Sequence, residues 1–311
     1  MAEPPIDDAS RLPCDARGRT PGDASGPPTD DAIILGDNLD VLPRYADESF
    51  QLIYIDPPFN TGSRQRRRTL QTVPDERGDR VGFQGRRYRT RLLAESAYGD
   101  AFDDYLAFLE PRLAHAHRLL HRTGTLYFHI DYREAHYCKL LLDERFGREG
   151  FLNEIIWAYD YGARTTARWP AKHDTILVYV KDPSGYHFDS QAVDREPYMA
   201  PGLVTPEKAA RGKLPTDVWW HTIVPTNGRE KTGYPTQKPE GIVRRMVLAS
   251  TRPGDWCLDF FAGSGTLGAV AAKEGRRYVL VDSSEEAVRT ARARLAAIGA
   301  PAGEAAPAAL F

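Results

Sequence analysis

Two short stretches hold residue types suited to binding and reaction. The first is Asp56-Pro57-Pro58-Phe59, directly after the apolar run Leu52-Ile53-Tyr54-Ile55. Each proline fixes its own φ and restricts the residue before it, so the turn is stiff. It aims a carboxylate (Asp56), a backbone carbonyl (Pro57) and an aromatic ring (Phe59) at one point. Two acceptors beside a stacking plane suit a flat group bearing an –NH2, which donates two hydrogen bonds while its ring stacks. The second stretch is Asp259-Phe260-Phe261-Ala262-Gly263-Ser264-Gly265-Thr266-Leu267-Gly268, between the strand-like Trp256-Cys257-Leu258 and an Ala-rich helical segment. Glycines at such a turn let a ligand approach the backbone, and the helix start offers N–H groups. Asp282 ends the next apolar run and is placed to accept bonds from ribose hydroxyls. These residues describe a site for an adenosine-type cofactor. Read literally, Gly263-x-Gly265-x-x-Gly268 is the dinucleotide fingerprint. On this motif alone NAD and S-adenosylmethionine are equal readings. An NAD-dependent oxidoreductase, or a bare nucleotide-binding module, therefore stands beside methyl transfer.

The elements that must carry these turns are legible. Short apolar runs at Ile33–Leu35, Leu52–Ile55, Thr125–Ile130, Thr175–Val180, Trp256–Leu258 and Tyr278–Val281 suit strands buried on both faces, hence a largely parallel sheet. Phe102, Tyr105, Leu106, Leu109, Leu113 and Leu120 recur at helical spacing, with a break or kink expected at Pro111. Pro239 suits a first helical turn before Ile242, Val243, Met246 and Val247. Ser283-Ser284-Glu285-Glu286 offers a capping box before Val288, Ala291 and Leu295, and Gly299 can end that helix. Strand–helix alternation means an α/β domain. Residues 1–30 and 299–311 read as tails. Residues 181–232, rich in Pro, Gly, Trp and Tyr, read as an irregular subdomain or a functional insertion.

The 311 residues are 41% hydrophobic and 27% charged, which excludes a wholly disordered chain. No stretch approaches the roughly 20 apolar residues of a membrane span. Met1-Ala2-Glu3-Pro4-Pro5 has neither a basic start nor an apolar core, so no secretory signal is expected. Cys14, Cys138 and Cys257 are scattered, against a disulfide scaffold and for a reducing cytosol. No metal site is expected of His115, His117, His121 and His129. Net charge is only −2, yet Arg64 to Arg91 holds ten arginines against three carboxylates, a local +7. Such asymmetry suits a polyanion-binding face. Arg64, Arg66, Arg67, Arg68, Arg86 and Arg87 are its candidate contacts, on a basic mobile loop spanning 63–99.

Taken together, the motifs resemble those of the DNA amino-methyltransferases, which modify adenine N6 or cytosine N4. Asp56-Pro57-Pro58-Phe59 resembles their motif IV, and Asp259 to Gly265 their motif I. Tyr234-Pro235-Thr236-Gln237-Lys238-Pro239 is similar to motif X, and Gly36-Asp37-Asn38-Leu39 to the motif III region. The catalytic motif precedes the cofactor motif, the permuted order of the β class. The resemblance runs from about Asp31 to about Ile298 and implies a circularly permuted, Rossmann-like methyltransferase fold. Its sheet would have seven strands, mostly parallel, with one antiparallel. It implies S-adenosyl-L-methionine as donor, held by Asp37, Thr236, Lys238, Asp259, Phe260, Phe261, Ala262, Gly263, Ser264, Gly265 and Asp282. Asp56, Pro57, Pro58 and Phe59 would hold the target base. The implied layout is a catalytic half at 31–180, a target-recognition region at 181–232 and a cofactor half at 233–298. Trp219, Trp220, His221, Asn227, Arg229 and Lys231 are candidate contacts in the middle region, although Trp219-Trp220 reads equally as core. Double-stranded DNA is the implied partner, with a homodimer and a cognate restriction endonuclease compatible with the resemblance, and no membrane. The expected location is the cytoplasm, on the nucleoid. Aspartate at the first catalytic position leans toward adenine N6; cytosine N4 is the alternative. Cytosine C5 chemistry would need a cysteine nucleophile, and the sole Pro-Cys pair, Pro13-Cys14, lies in the tail.

Overall fold

Each expected apolar run is a strand, and alternation along it buries both faces. The computed structural model describes residues 26–60, 102, 104–162, 164–225 and 227–300, together with the strand course of 65–74, 80–81 and 87–98. In chain order the elements are β1 (Ala32–Leu35), α1 (Asn38–Val41), β2 (Phe50–Ile55), β3 (Gln65–Pro74), β4 (Arg80–Val81) and β5 (Arg87–Tyr98). There follow α2 (Tyr105–Leu119), β6 (Leu120–Ile130), α3 (Ala135–Phe146), β7 (Phe151–Ala158), β8 (His173–Val180), α4 (Pro206–Arg211) and β9 (Val218–Trp220). The chain closes with α5 (Glu240–Ser250), β10 (Trp256–Asp259), α6 (Thr266–Lys273), β11 (Arg277–Asp282) and α7 (Glu285–Ala297).

The main sheet runs β1-β11-β10-β2-β6-β8-β7-β9. β8 is antiparallel to both neighbours and the other pairings are parallel. Ile53 and Ile55 of β2 face a core shared with α2 and α3, while Leu52 and Tyr54 face one built from α5, α6 and α7. The result is a three-layer α/β/α domain of the methyltransferase type. The last two strands in the chain, β10 and β11, sit between the first two, β1 and β2.

Three expectations are corrected. The sheet has eight strands rather than seven, because Val218–Trp220 adds to the β7 edge. The basic stretch is not a loop throughout: β3 and β5 pair antiparallel from Gln65↔Tyr98 to Pro74↔Tyr88, with β4 on the β5 edge. On β5 the arginines alternate with Tyr, Thr and Leu, and on β3 they precede Thr, Leu and Val, whose β preference the charge count hides. Arg66, Arg67 and Arg68 lie on β3 and Arg87 on β5, while Arg64 and Arg86 fall outside the described residues. Helix α2 runs through Pro111 without a break. Burial of Leu109, Leu113 and Ala116 holds the turn that the missing N–H weakens. Residues 181–232 pack on the main domain: Asp189 N donates to Ala249 O at 2.7 Å and His187 N to Thr123 O at 2.9 Å, tying the segment to α5 and β6. Within it Trp219 is buried and Trp220 exposed, so the pair divides between core and surface. The tails at 1–25 and 301–311, Cys14 included, lie outside the described residues.

Two caps behave as their residues suggest. The Ser284 side chain accepts from Ala287 N to start α7, and Gly299 adopts φ +70° after its end. The turn into α6 is tighter. Gly265 has φ +71°, and a Cβ there would stand 2.8 Å from Ala291 Cβ on α7. Alanine at 265 therefore meets both a left-handed backbone penalty and a clash, for a cost of about 2 kcal/mol or more. Denaturant unfolding of Gly265→Ala against the parent checks this; equal midpoints would contradict it.

Candidate active site

Parallel pairing puts the carboxyl ends of β2, β10 and β11 side by side, about 4.8 Å apart from strand to strand. The turns after β2 and β10 therefore face one cleft, about 610 Å³ in volume. Asp56, Pro57, Pro58 and Phe59 line it, as do Asp37, Thr236, Lys238, Asp259, Phe260, Phe261, Ala262, Gly263, Ser264 and Asp282. Gly265 is not in the lining; it shapes the turn from behind.

One end of the cleft is built on the glycine turn. Gly263 N donates to Asp282 Oδ2 and Ser284 N to Asp282 Oδ1, each at 2.8 Å. Burial pushes the Asp282 carboxyl up, against the pull of these two N–H donors. Asp259 is fully buried and accepts from Phe261 N at 3.0 Å. Its carboxyl is pushed well above the ordinary range, first by burial and then by the Asp56 and Asp282 charges. Asn38 donates to Phe260 O at 3.0 Å, and its buried Oδ1 has no hydrogen-bond partner. Asp37 caps α1 by accepting from Leu39 N at 2.8 Å. A Cβ on Gly263 would lie 3.3 Å from the Tyr234 ring, so the backbone itself is presented there. Among the lining residues five carboxylates (Asp37, Asp56, Asp259, Asp282, Glu286) face two cations (Arg112, Lys238). A pyrophosphate would be repelled from such a wall, whereas a ligand carrying positive charge and N–H donors would relieve it. This weighs against the dinucleotide reading of the glycines.

The other end is built on the double-proline turn. Tyr105 OH donates to Pro58 O at 2.6 Å, and the Asn60 amide bridges Glu134 Oε1 at 3.0 Å and Phe102 N at 3.2 Å. Asn60 takes φ +52°, which asparagine tolerates. Lys238 reaches across from the loop before α5. Gln237 laces that loop, accepting from Thr232 N and Thr232 Oγ1 at 2.8 Å and donating to Glu230 O at 2.6 Å. Lys238 Nζ donates to Asp56 Oδ1 at 2.9 Å and stands 4.5 Å from the Phe59 ring centroid. Behind it Asp174 Oδ2 meets His129 Nε2 at 3.2 Å, Tyr159 OH donates to Asp174 Oδ1 at 2.9 Å, and His129 Nδ1 meets Tyr54 OH at 3.0 Å.

Residues 50–293 match the family of N6/N4 DNA methylases. The chain belongs to this family. It is 30% identical over 271 residues to the DNA adenine methyltransferase YhdJ of Escherichia coli, covering 85% of this chain and 82% of that protein. It is 28% identical to the type II methyltransferase M.HpaI of Haemophilus parainfluenzae, covering 86% and 74%. Among solved structures it superposes on the cytosine-N4-specific PvuII DNA methyltransferase with TM-score 0.58 at 16% identity, covering 86% and 87%. It superposes on the M1.HpyAVI–SAM complex with TM-score 0.55 at 20% identity, covering 85% and 98%.

For this methylase, sequence reasoning missed Asn38, Tyr54, Asn60, Tyr105, His129, Tyr159 and Asp174 as members of the site. One signal was available. Asp174 is a carboxylate inside the buried run His173–Val180, and a buried charge demands partners. Lys238, expected at the cofactor, lines the cleft and forms an ion pair with Asp56.

Asp259 carries the least compensated charge of the cleft. A carboxyl raised in the fold binds its proton more readily there than in the unfolded chain. Its contribution to stability is therefore lost as pH climbs from about 4 toward the raised folded value. Ligand-free Asp259→Asn should thus melt at or above the parent near neutral pH, with the advantage shrinking toward about pH 4. Thermal melts across pH check the sign; an advantage that grows on acidification would contradict it.

Proposed function

We propose that the protein is a site-specific DNA methyltransferase that moves the methyl group of S-adenosyl-L-methionine to adenine N6 on a base turned out of the duplex. The observation that carries this reading is the single cleft that joins the Asp56–Phe59 turn to the acidic glycine turn. The buried Asp259 carboxyl and the partnerless Asn38 Oδ1 fit a donor with an ammonium and a sulfonium. Asp282 suits its ribose. When bound, that donor supplies an electrophilic methyl group.

This chain's residues do the rest. The exocyclic amine is a poor nucleophile because its lone pair is delocalised into the ring. The Asp56 carboxylate and the Pro57 carbonyl accept its two N–H bonds and draw the nitrogen toward tetrahedral geometry. Phe59 stacks on the ring. The lone pair then points into the cofactor end, and Asp56 takes up the proton that the methylated amine sheds. Positioning and fixed charge carry the rate. Turning the base out costs a few kcal/mol, offset by stacking and hydrogen bonding in the cleft.

Aspartate at position 56 and the 30% identity to an adenine methyltransferase support adenine over cytosine. For the duplex, β3 and β5 follow the catalytic turn with six arginines on their strands, suited to phosphate contacts. Across the cleft, the loop between β7 and β8 carries Trp169, 95% exposed, beside Arg164, Arg168 and Lys172, with Trp220 73% exposed on β9. Exposed aromatics among cations suit stacking in the gap a departed base leaves. Residues 181–232 would read the target sequence. A cognate restriction endonuclease, a homodimer and a place on the nucleoid follow in this reading from the family resemblance.

Purified protein incubated with labelled S-adenosylmethionine and unmethylated DNA should yield labelled N6-methyl-deoxyadenosine after digestion to nucleosides. Label in N4-methyl-deoxycytidine would keep the mechanism and overturn the base assignment. Asp56→Ala should cut transfer by about 10³-fold or more, since both an acceptor and an electrostatic partner of the reacting amine are lost. Cofactor affinity should stay within about threefold, because the cofactor end of the cleft is untouched. Equal loss of both would sink the division of roles.

A further inference from the structure

Lys238 stands where the substrate amine has to go. Its ammonium donates to Asp56 Oδ1 at 2.9 Å and lies 4.5 Å from the Phe59 ring centroid. A base seated as proposed makes the same two contacts, an N–H on Asp56 and a π-face on Phe59. The lysine thus mimics the amine, and the two would share the Asp56 carboxylate and the face of Phe59. Simple expulsion of the lysine is costly. Lys238 and Asp56 are both largely buried, and a buried charge stripped of its partner is strongly destabilising.

A second carboxylate is already in place. Asp174 Oδ2 lies 3.9 Å from the same Nζ, beyond a hydrogen bond but within ion-pair range. Moving the ammonium onto it takes about 1 Å of travel. Asp174 rises from β8, whose two neighbours in the sheet hold it. Its side chain is 10% exposed, clamped by Tyr159 OH on one oxygen and His129 on the other. Tyr54 fixes the far side of the His129 ring. Burial opposes the Asp174 charge, yet His129, Lys238 and Tyr159 together outweigh it and hold the carboxyl below its ordinary range. An ionised, rigid, half-satisfied carboxylate beside a lysine that must move needs an explanation that packing alone does not supply.

We propose that Asp174 is a positioning residue that acts through Lys238. The ammonium shifts from Asp56 to Asp174 as the base amine arrives, and returns to Asp56 once the methylated product has left and Asp56 has passed the proton it took up to solvent. The positive charge stays paired throughout, and the Asp56 carboxylate passes from an ammonium donor to an amine donor without losing a hydrogen bond. Product release gains from the same contest, because the methylated amine keeps one N–H for Asp56 and Pro57 to share where the substrate had two. The inference rests on the amine-methylation reading above.

The test compares two duplexes carrying the methylated sequence, one with adenine at the target and one with purine, which lacks the 6-amino group. Binding is measured for the parent, Asp174→Asn, Lys238→Met and the double variant. The parent should prefer the adenine duplex; no preference would overturn the amine seat itself and this inference with it. Asp174→Asn should weaken the adenine duplex by about tenfold and the purine duplex by less than about twofold, one lost charge pair being worth that much. In the Lys238→Met background the same change should have no further effect. Equal loss on both duplexes, or an additive loss in the double variant, would mean that Asp174 is structural only. Thermal melts and cofactor binding report whether each variant folds. Should Asp174→Asn not fold, Lys238→Met decides alone. It should tighten the adenine duplex relative to the purine duplex, and selective weakening would overturn the swap.

Discussion

Parallel pairing of β10 with β2, through Cys257↔Leu52 and Leu258↔Ile53, is the constraint on which the site depends. It brings together two turns about two hundred residues apart in the chain and points both out of the same sheet edge. Neither turn forms the cleft alone. The glycine turn offers backbone N–H groups and buried acids, and the double-proline turn offers acceptors and a ring. Their distance is set by strand spacing, and their direction by the shared parallel sense. Buried apolar residues on both faces of each strand hold that register, since a slip of one residue would exchange the two cores.

The second organising fact is charge. The cleft concentrates carboxylates where the sheet ends, and burial makes Asp259 and Asp282 costly to ionise. Asp282 is eased by two backbone donors and Asp174 by His129, Lys238 and Tyr159, and Asp56 pairs with Lys238. Asp259 has one backbone donor and two acidic neighbours. A cationic donor molecule answers that imbalance, and a pyrophosphate would deepen it. The acids, more than the glycine spacing, thus choose between the two cofactors that the glycine motif alone leaves equal.

Much of this was legible in residue order, for reasons that differ by element. The buried strands show as continuous apolar runs, because a sheet covered on both faces has no polar side. β7 stayed hidden because Asn153 and Glu154 interrupt its run, and β9 because three residues carry no period. β3 and β5 were masked by their own charge. Helix α2 survives Pro111 because tertiary burial outweighs one lost hydrogen bond. At the site, local motifs are readable since each is a contiguous turn. The network Lys238–Asp174–His129–Tyr54 is not, because its members come from the loop before α5 and from β8, β6 and β2, and meet only in three dimensions.

Under the proposed function, in which residues 181–232 contact the target, the same logic couples that contact to chemistry. Residues 181–232 are stitched to the domain at several points. β9 extends the sheet beside β7, Arg245 pairs with Glu196 at 2.6 Å, and Arg244 pairs with Asp194. The chain leaves this segment directly into Glu230–Lys238, where Gln237 laces the loop and Lys238 enters the cleft. A contact made by the segment is therefore separated from the Asp56 ion pair by one short, internally bonded loop. A rigid connection of that length transmits position rather than motion. The register of the protein on its duplex would then set which base meets Asp56, and the loop would need no switch of its own.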